Sequence, residues 1–470
     1  MPDIRPIALA AIVVIVPLWL IATKREELLI KWICLTIAVD IFDPRLMVNL
    51  PAARVAGLLL LPSCLEVLPA VRKSIAGNAL WRYIIYMAIM GVIFGIMFPW
   101  SSEGFDRLPT QTSQLKAIAY VFRRAGEFSL GIFIARYLWK TRRPDRLIEW
   151  CVYGSSIAAT GGILEWLTHW DMYSAITGAE VLRLSDRVQG FSYEPRGLAL
   201  IVGQGLLLAI LLYARQHSKR WLGFIVLHFV ALFLAVSTSG LFVVGVGLVA
   251  LFIVDAQSRK ILVSPSVIAL LLCSSLLLVS VGTNFVASWS ENVGLRLSGA
   301  TGRSAPESLI AEFALRQDIF DASAIMLFAA RPEFIFTGVG PGMAGLASTD
   351  YVPSAPLFDW VEERGEGLNS VPHVGLLREL CDVGLIGLFL AWIFVHASGR
   401  ALSQLSAGSG LEAESWQIAR AAFWVAVAIY LVQASPLSAS FSVFMGIGLT
   451  ATWLAPASES ATQSITPLSA

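Results

Sequence analysis

The sequence consists largely of long apolar runs separated by short polar connections. A run of about 20 apolar residues is long enough to cross a bilayer as a helix. The runs lack the period-two alternation of barrel strands, and a helix satisfies its own backbone hydrogen bonds in lipid. The predicted spans are residues 6–22, 27–42, 54–70, 80–98, 115–138, 146–168, 191–213, 221–236, 240–254, 261–282, 373–396, 417–434 and 438–455. The pattern therefore predicts an all-α integral membrane protein with about 12–13 transmembrane helices.

Lysine and arginine are concentrated in alternate connections between these spans, and this bias indicates which loops are cytoplasmic. The basic loops contain Arg72, Lys73 and Arg82; Arg136, Lys140, Arg142, Arg143 and Arg146; Arg215, Lys219 and Arg220; and Arg259 and Lys260. They predict a cytoplasmic C-terminus, with the N-terminus outside for thirteen spans and inside for twelve. The first apolar run continues to Ile21 and no small-residue cleavage site follows, so we expect it to remain as a span.

The spans divide the chain into one membrane region with a single long connection. Residues 1–282 and 373–456 are predicted to be transmembrane, residues 283–372 form a large outer loop, and residues 457–470 form a disordered tail. Loops longer than about 15 residues are uncommon unless they are functional or disordered. Because the long loop mixes apolar and polar residues at helical spacing between Glu307 and Ala330, we expect it to fold over the membrane surface.

Composition excludes a water-soluble fold. Hydrophobic residues make up 56% of the chain and charged residues 14%, against about 25% charged residues in soluble domains. The mean hydropathy is +0.71. One aqueous core could not bury this much apolar surface, whereas a bilayer solvates it. We therefore expect membrane lipids around the protein and no nucleic-acid partner. The five cysteines lie in or beside apolar runs without a CxxC pair, which is typical of small buried hydrophobic side chains.

Four groups of polar residues border or interrupt the apolar runs and are candidates for chemistry. The first is Glu194-Pro195-Arg196, where a span begins. Proline suits the first turn of a helix, because its missing N–H would have no partner there. The two charged residues form either a capping carboxylate with a snorkelling arginine, or an arginine that faces an anionic ligand and is held by Glu194.

The second group lies in the long connection. Arg316 falls on the polar face of a predicted helix, and the glycine-rich stretch Gly338–Gly342 follows. Glycines permit tight turns and close approach of the backbone to a ligand. Asp318 and Asp321 are one helical turn apart, which fits a solvated helix face better than a metal site.

The third and fourth groups lie inside predicted spans. His373 follows a proline at the start of a span, and Arg378 and Asp382 are spaced to pair one turn apart, with Glu379 between them. Ionisable residues at membrane depth usually face a cavity or one another. The fourth group is Arg123, Arg124 and Glu127. It is interpreted either as a buried ion pair or as the lining of a site.

In order and spacing, the first three groups resemble the O-antigen ligase and Wzy-type O-antigen polymerase family of bacterial envelope enzymes. The family pattern has an arginine-bearing helix, then a proline and a Gly-x-Gly turn, and then a histidine that opens the next span with a Glu-x-Gly-like run. The matching residues are Arg316, Arg331-Pro332, Gly338 to Gly342, His373, and Glu379 to Gly387. Glu194-Pro195 resembles a motif of polymerase-like members. The resemblance covers most of the chain in topology, whereas its motifs fall within about 191–200 and 316–387.

Three features depart from the family pattern. Val374 follows the histidine where the family commonly has asparagine, and Cys381-Asp382 precede Gly384 where the family often reads Glu-Leu-Gly. Some ligases carry an arginine near the start of a middle span, but Ser237–Gly240 contains none. Either Arg196 substitutes for that arginine, or the donor is held differently.

The resemblance implies an inverting, metal-independent glycosyltransferase without a cofactor, whose active site lies on the periplasmic side of the bacterial inner membrane. Its donor is an undecaprenyl-diphosphate-linked glycan, and its acceptor is a glycan or lipid A-core. His373 is the expected catalytic base, because imidazole accepts a proton near neutral pH. Arg316 and Arg196 are expected to bind the donor diphosphate, since arginine matches phosphate oxygens in bidentate fashion. The supporting residues are Glu194, Arg303, Arg378 and Glu379.

Glu194-Pro195 favours a Wzy-type polymerase of O-antigen or exopolysaccharide repeat units. Two alternatives stay open beside it. One is an O-antigen ligase, which transfers finished polymer to lipid A-core. For either enzyme, a flippase and a chain-length regulator are candidate partners. The other alternative is a secondary transporter that uses Arg123, Arg124 and Glu127 for its substrate. Transporters often contain repeated halves and broken midplane helices, and the sequence shows neither clearly.

Overall fold

The computed structural model describes most of the predicted spans and part of the long connection. The described residues are 5–39, 52–98, 100, 113–178, 188–192, 195–235, 237–264, 319–348, 372, 374–433 and 438–455. All regular secondary structure in these ranges is helical, and they contain no strand. The all-α prediction is therefore confirmed for the described part of the chain.

The helices follow the predicted apolar runs closely. They are α1 Arg5–Ala22, α2 Glu26–Ala38, α3 Ala52–Leu59, α4 Leu61–Val71, α5 Ile75–Val92 with a π-helical extension Ile93–Met97, α6 Ser113–Thr141, α7 Pro144–Thr168, α8 Met172–Thr177, α9 Pro195–Gln216, α10 Arg220–Leu234, α11 Thr238–Val254, α12 Ala256–Leu262, α13 Ile319–Ala330, α14 Phe334–Thr337, α15 Ala344–Ala347, α16 Gly375–Ser406, α17 Leu411–Val432 and α18 Ser438–Leu454.

Five of the described helices are long and apolar enough to cross a membrane: the extended α5, α7, α9, α16 and α17. The predicted span 54–70 differs from a simple crossing, because it divides into α3 and α4, which meet at a bend of 69°. Pro62 in the first turn of α4 suits a new helix start there, since proline lacks the N–H that would continue α3. Most of the predicted span 261–282 lies outside the described residues.

Helix α9 occupies the centre of the bundle. It is apolar on nearly all sides, and 89% of its most apolar stretch is buried inside the protein. Its neighbours are α7, α10, α11 and α17. A helix with no polar face has to be surrounded by other helices or by lipid. Gly205 allows a close contact with α7 and α10, because a side chain there would collide with Ser155 and His228, which are hydrogen bonded to each other.

Polar contacts tie several helix connections together at one end of the bundle, which we call the basic end. They join the α1–α2, α6–α7, α9–α10, α11–α12 and α16–α17 regions. The contacting pairs are Lys140–Glu26 at 2.9 Å, Arg142–Glu412 at 3.9 Å, Ser415–Asp145 at 2.6 Å, Arg215–Gln417 at 2.6 Å, Arg220–Glu149 at 3.2 Å, and Arg215–Asp255. Three of the four basic loops predicted from the sequence therefore lie at the same end of the protein.

The cysteines behave as buried side chains. Cys34, Cys64, Cys151 and Cys381 are free thiols, and all but Cys151 are fully buried. The prediction of small buried hydrophobic side chains is therefore confirmed for these three cysteines.

Candidate functional site

Ten ionisable or tyrosine side chains from five helices form one largely buried ionic cluster, in which hydrogen bonds or ion pairs join nine of them and Arg123 is an electrostatic neighbour. Helix α3 supplies one of them, α5 one, α6 four, α16 three and α17 one. The members are Arg54, Tyr83, Tyr120, Arg123, Arg124, Glu127, Arg378, Glu379, Asp382 and Tyr430. The cluster joins the third and fourth groups of polar residues singled out in the sequence.

Glu127 anchors one side of the cluster between two arginines. Its Oε1 lies 2.7 Å from Nη2 of Arg54, and its Oε2 lies 3.0 Å from Nη1 of Arg124. Glu127 is 5% exposed and Arg54 2% exposed. The buried ion pair predicted within Arg123, Arg124 and Glu127 is therefore confirmed between Arg124 and Glu127. The second partner of Glu127, Arg54 of α3, was not predicted from the sequence.

Arg124 carries the network from α6 to α16. Its Nη2 donates to Oε1 of Glu379 at 2.7 Å and lies 4.0 Å from Oδ2 of Asp382. The hydroxyls of Tyr83 and Tyr430 also donate to Glu379. The lone pairs of this buried carboxylate are therefore satisfied by three donors from three other helices.

Tyr120 lies between the two residues of α16 that were expected to pair directly. Its hydroxyl donates to Oδ2 of Asp382 and accepts a hydrogen bond from Nη2 of Arg378 at 3.3 Å. Arg378 and Asp382 are both fully buried and make no direct ion pair within 4.0 Å. The prediction of an Arg378–Asp382 pair is wrong, because the α6 tyrosine is interposed between them.

A break in α16 brings the glycine-rich stretch Gly338–Gly342 against the cluster. Gly384 interrupts the helix with φ 61° and ψ −169°, a conformation that glycine alone adopts readily. Here the Cys381 carbonyl accepts a hydrogen bond from the Val339 N–H at 2.7 Å. The N–H of Gly342 donates to Oδ1 of Asp382 at 2.9 Å, so the glycine-rich stretch contacts the cluster directly.

Close approach of the two backbones requires glycine on both sides. A Cβ on Gly338 would lie 2.7 Å from the Cys381 carbonyl oxygen, and one on Gly384 would lie 2.3 Å from the Phe336 carbonyl oxygen. Trp100 closes the outside of this contact by donating from its indole Nε1 to the Val339 carbonyl oxygen at 3.0 Å. The second and third sequence groups are therefore parts of one assembly.

The cluster carries more positive than negative charge. It contains four arginines and three carboxylates, which leaves one excess positive charge when all are ionised. Among the described residues, Arg123 and Arg378 make no ion pair, and the Nε of each is buried without a hydrogen-bond partner. An excess positive charge in a buried cluster is costly, so this arrangement is chemically suited to an anionic ligand.

The cluster lies far from the basic end. Sixteen residues of the continuous helix α6 separate Arg124 from Lys140, which corresponds to about 24 Å at 1.5 Å per residue. Tyr430 likewise lies near the end of α17, whose first turn faces the basic end through Glu412. The cluster is thus in the opposite half of the bundle.

The predicted site residues divide into three sets. Arg378 and Glu379 belong to the cluster. Arg196 is in the first turn of α9, which packs against α7, α10, α11 and α17. The remaining predicted residues lie outside the described part of the chain: Glu194, Arg303, Arg316 and His373.

A hydrogen bond between two described residues connects the segment that follows Arg316 with the segment that follows His373. The N–H of Val374, the residue after His373, donates to Oδ1 of Asp321 in the first turn of α13 at 3.2 Å. The start of α13 therefore adjoins the start of α16. Asp321 serves this backbone contact, and within the described residues no group of three or more His, Cys, Asp or Glu side chains has the geometry of a metal site.

Sequence reasoning did not single out Arg54, Tyr83, Tyr120 or Tyr430. Arg54 sits at the start of an apolar run, where it was indistinguishable from a residue at the membrane surface. The tyrosines lie within or at the edge of apolar runs, where they fit a buried or interfacial role equally well. Only the packing of five helices reveals that their hydroxyl groups meet the same carboxylates.

Comparison with known proteins does not place the chain in a family. No protein-family model matches the sequence, and a search of curated proteins finds no significant match. The geometry of the cluster and the motifs of the sequence therefore carry the functional argument.

Proposed function

We propose that the chain is a multi-pass protein of the bacterial inner membrane and a glycosyltransferase that uses undecaprenyl-diphosphate-linked glycans. Within this class we propose a Wzy-type polymerase of O-antigen or exopolysaccharide repeat units, related to the O-antigen ligase and polymerase family. The chain would cross the membrane 12–13 times, counting the shorter apolar helices as spans, with the basic end in the cytoplasm.

The observation that carries this proposal is the excess arginine charge of the ionic cluster, in the half of the bundle opposite the basic end. The four arginines of the cluster outnumber its three carboxylates, and Arg123 and Arg378 form no ion pair with a described carboxylate. With the basic end in the cytoplasm, this charge lies toward the periplasm. A diphosphate leaving group is an anion that such a site would stabilise as it departs.

The proposed reaction transfers a glycan to an acceptor hydroxyl. His373 accepts the proton of that hydroxyl, and the hydroxyl oxygen forms a bond to the anomeric carbon of the donor. The bond from the anomeric carbon to the phosphate oxygen breaks, and the undecaprenyl diphosphate leaves with the electron pair. Arg316 and Arg196 bind the diphosphate directly, and Glu194, Arg303, Arg378 and Glu379 support them. No cofactor takes part.

The contact between Asp321 and Val374 supports this division of roles. It joins a position five residues after Arg316 to the residue after His373. A base and a diphosphate-binding arginine have to act on the same bond, so the segments that carry them need to be neighbours.

The test is to replace His373 by alanine and to follow polymer formation. Purified protein in liposomes receives a lipid-linked repeat unit extracted from the host, and products are separated by gel electrophoresis. We expect His373→Ala to abolish product without changing the amount of protein in the membrane. The matched control is His396→Ala, an exposed histidine stacked on Trp392, which should retain wild-type activity. Wild-type product from His373→Ala would contradict the assignment.

Glycan profiling of a deletion strain separates the two enzymatic alternatives. Single repeat units left on the carrier lipid indicate a polymerase. Full-length polymer that stays unattached to lipid A-core indicates an O-antigen ligase. An unchanged profile counts against both.

One structural observation favours a secondary transporter as the second candidate. The part of the chain that the structure describes contains two broken helices, at the α3–α4 bend and at Gly384, and transporters often build substrate sites from such breaks. The liposome experiment distinguishes the two classes, because a transferase extends the glycan without an ion gradient, whereas a transporter moves solute and leaves the glycan unchanged.

A further inference from the structure

A large groove opens at the basic end, away from the ionic cluster. Its volume is about 960 Å³, at the upper end of the range for ligand sites. Helices α1, α2, α4, α6 and α18 line it. Because α4 leaves the direction of α3 by 69°, it forms a separate wall facing α6. We call this space the basic groove.

Polarity changes along the basic groove in one direction. On α6, the apolar Ile132 and Phe133 line the deeper part, and Arg136, Trp139 and Lys140 line the part nearer the end of the helix. These positions span eight residues, or about 12 Å of helix. This arrangement matches a phospholipid, because the apolar interior can contact the acyl chains and the basic rim can contact the phosphate.

The rim carries an excess of positive charge. Four basic residues line the groove against two acidic ones, Glu26 and Glu66. The basic residues are Lys24, Arg136, Lys140 and Arg142. Lys140 pairs with Glu26 and Arg142 with Glu412, whereas Lys24 and Arg136 make no ion pair with any described residue. Two cations are therefore available to a ligand.

Aromatic and apolar residues place the groove at the level of a membrane interface. Trp139 and Trp453 line it, and tryptophan is enriched where lipid headgroups meet the hydrocarbon core. Leu65, on the same helix as the groove-lining Cys64 and Glu66, is 54% exposed. A leucine exposed to this extent beside the opening is expected to face lipid.

We infer that the basic groove binds an anionic phospholipid, with its phosphate at Lys24 and Arg136 and an acyl chain against Phe133 and Leu29. The inference is independent of the proposed glycosyltransferase activity, because the groove and the ionic cluster lie in opposite halves of the bundle. The bound lipid fills the space between α4 and α6 and links the α1–α2 connection to the α6–α7 connection.

The test is native mass spectrometry of the full chain, delipidated in detergent and titrated with phosphatidylglycerol or phosphatidylcholine. We expect one tightly retained phosphatidylglycerol per chain and much weaker retention of phosphatidylcholine. The double variant Lys24→Gln/Arg136→Gln leaves the Lys140–Glu26 pair intact and should weaken that binding about tenfold to thirtyfold, since each cation near a lipid surface contributes about 1 kcal/mol.

The matched control removes the same charge from the exposed residues Lys219 and Arg400, which do not line the groove. Lys219→Gln/Arg400→Gln should bind phosphatidylglycerol as the parent chain does, and Arg136→Lys should keep most of the binding because it keeps the charge. Equal loss in both double variants, or equal retention of the two lipids, would overturn the inference. If inorganic phosphate displaced all of the bound phosphatidylglycerol, the groove would be a simple anion site, and this result would also overturn the inference.

Discussion

At the scale of single residues, the ionic cluster contains two kinds of arginine. Arg54 and Arg124 face carboxylates, whereas Arg123 and Arg378 contribute charge without a described ion-pair partner. Breaking a buried ion pair leaves an uncompensated charge and is strongly destabilising. Arg378 donates to the Tyr120 hydroxyl, whereas Arg123 has like-charged neighbours in Arg54 and Arg378, so removing Arg123 relieves repulsion. Breaking the Glu127 ion pairs and removing Arg123 should therefore have opposite effects on stability.

The first prediction concerns Glu127, whose carboxylate faces both Arg54 and Arg124. Glu127→Gln should lower the free energy of unfolding by about 3–5 kcal/mol, because it leaves two buried guanidinium groups facing a neutral amide. The measurement is the unfolding midpoint in detergent. Glu412→Gln is the control, since the Glu412–Arg142 pair is exposed and 3.9 Å apart, and it should change the midpoint little. Equal midpoints for both variants would show that the cluster does not stabilise the fold.

The second prediction concerns Arg123, which lies in the cluster without an ion-pair partner among the described residues. Arg123→Gln should keep or raise the unfolding midpoint, because Arg54 and Arg378 lose a neighbouring like charge. Under the proposed function, the same variant should also lose about tenfold in glycan transfer, because it removes the excess positive charge of the cluster that stabilises the departing diphosphate. A destabilised variant with normal transfer would assign Arg123 a structural role instead.

At the scale of elements, the helix break at Gly384 determines how the chain after the long connection meets the bundle. The break frees the Cys381 carbonyl for Val339 and lets Gly338–Gly342 approach Asp382. Runs of glycine in a sequence usually indicate loops. Here the glycines also permit two backbones to pack in contact, and Gly338 and Gly384 lie on opposite sides of that contact.

Gly384→Ala gives the third prediction. The positive φ alone should cost about 1–3 kcal/mol, and a Cβ 2.3 Å from the Phe336 carbonyl oxygen adds a backbone collision. We expect a large loss of folded protein, measured as monodisperse yield after detergent extraction. Gly245→Ala is the control, because a Cβ at this position in α11 meets nothing within 4 Å. Yields that fall equally in both variants would mean that the break is not specifically required.

At the scale of the whole molecule, contacts between helix connections define two ends with different chemistry. One end carries Lys140, Arg142, Arg215 and the acidic residues that pair with them. The ionic cluster lies in the other half. Under the proposed function, this asymmetry places the excess arginine charge toward the periplasm and the basic end in the cytoplasm.

The proposed orientation in the membrane gives the fourth prediction. In a background without the five native cysteines, single cysteines replace Lys219 and Leu411 at the basic end and Trp170 after the far end of α7. A membrane-impermeant maleimide should label Trp170→Cys in intact spheroplasts, and the other two variants only after the membrane is opened, because basic loops remain cytoplasmic. Labelling of all three variants in intact spheroplasts would contradict the two-ended arrangement.

The sequence by itself determined the approximate positions of most of the described helices. Apolar length and loop charge are local properties, so the described helices begin and end within a few residues of most predicted spans. Even the ion pair between Arg124 and Glu127 followed from their spacing, because both lie on one face of α6.

Only the tertiary structure decided which of these residues meet. Arg54 and Glu127 are 73 positions apart, and Tyr120 and Asp382 are 262 apart, so no local pattern relates them. The break at Gly384 was equally hidden, because a glycine inside an apolar run is compatible with a continuous helix until a second backbone packs against it. Side-chain spacing sets contacts within a helix, whereas the packing of separate helices sets the ionic cluster and the basic groove.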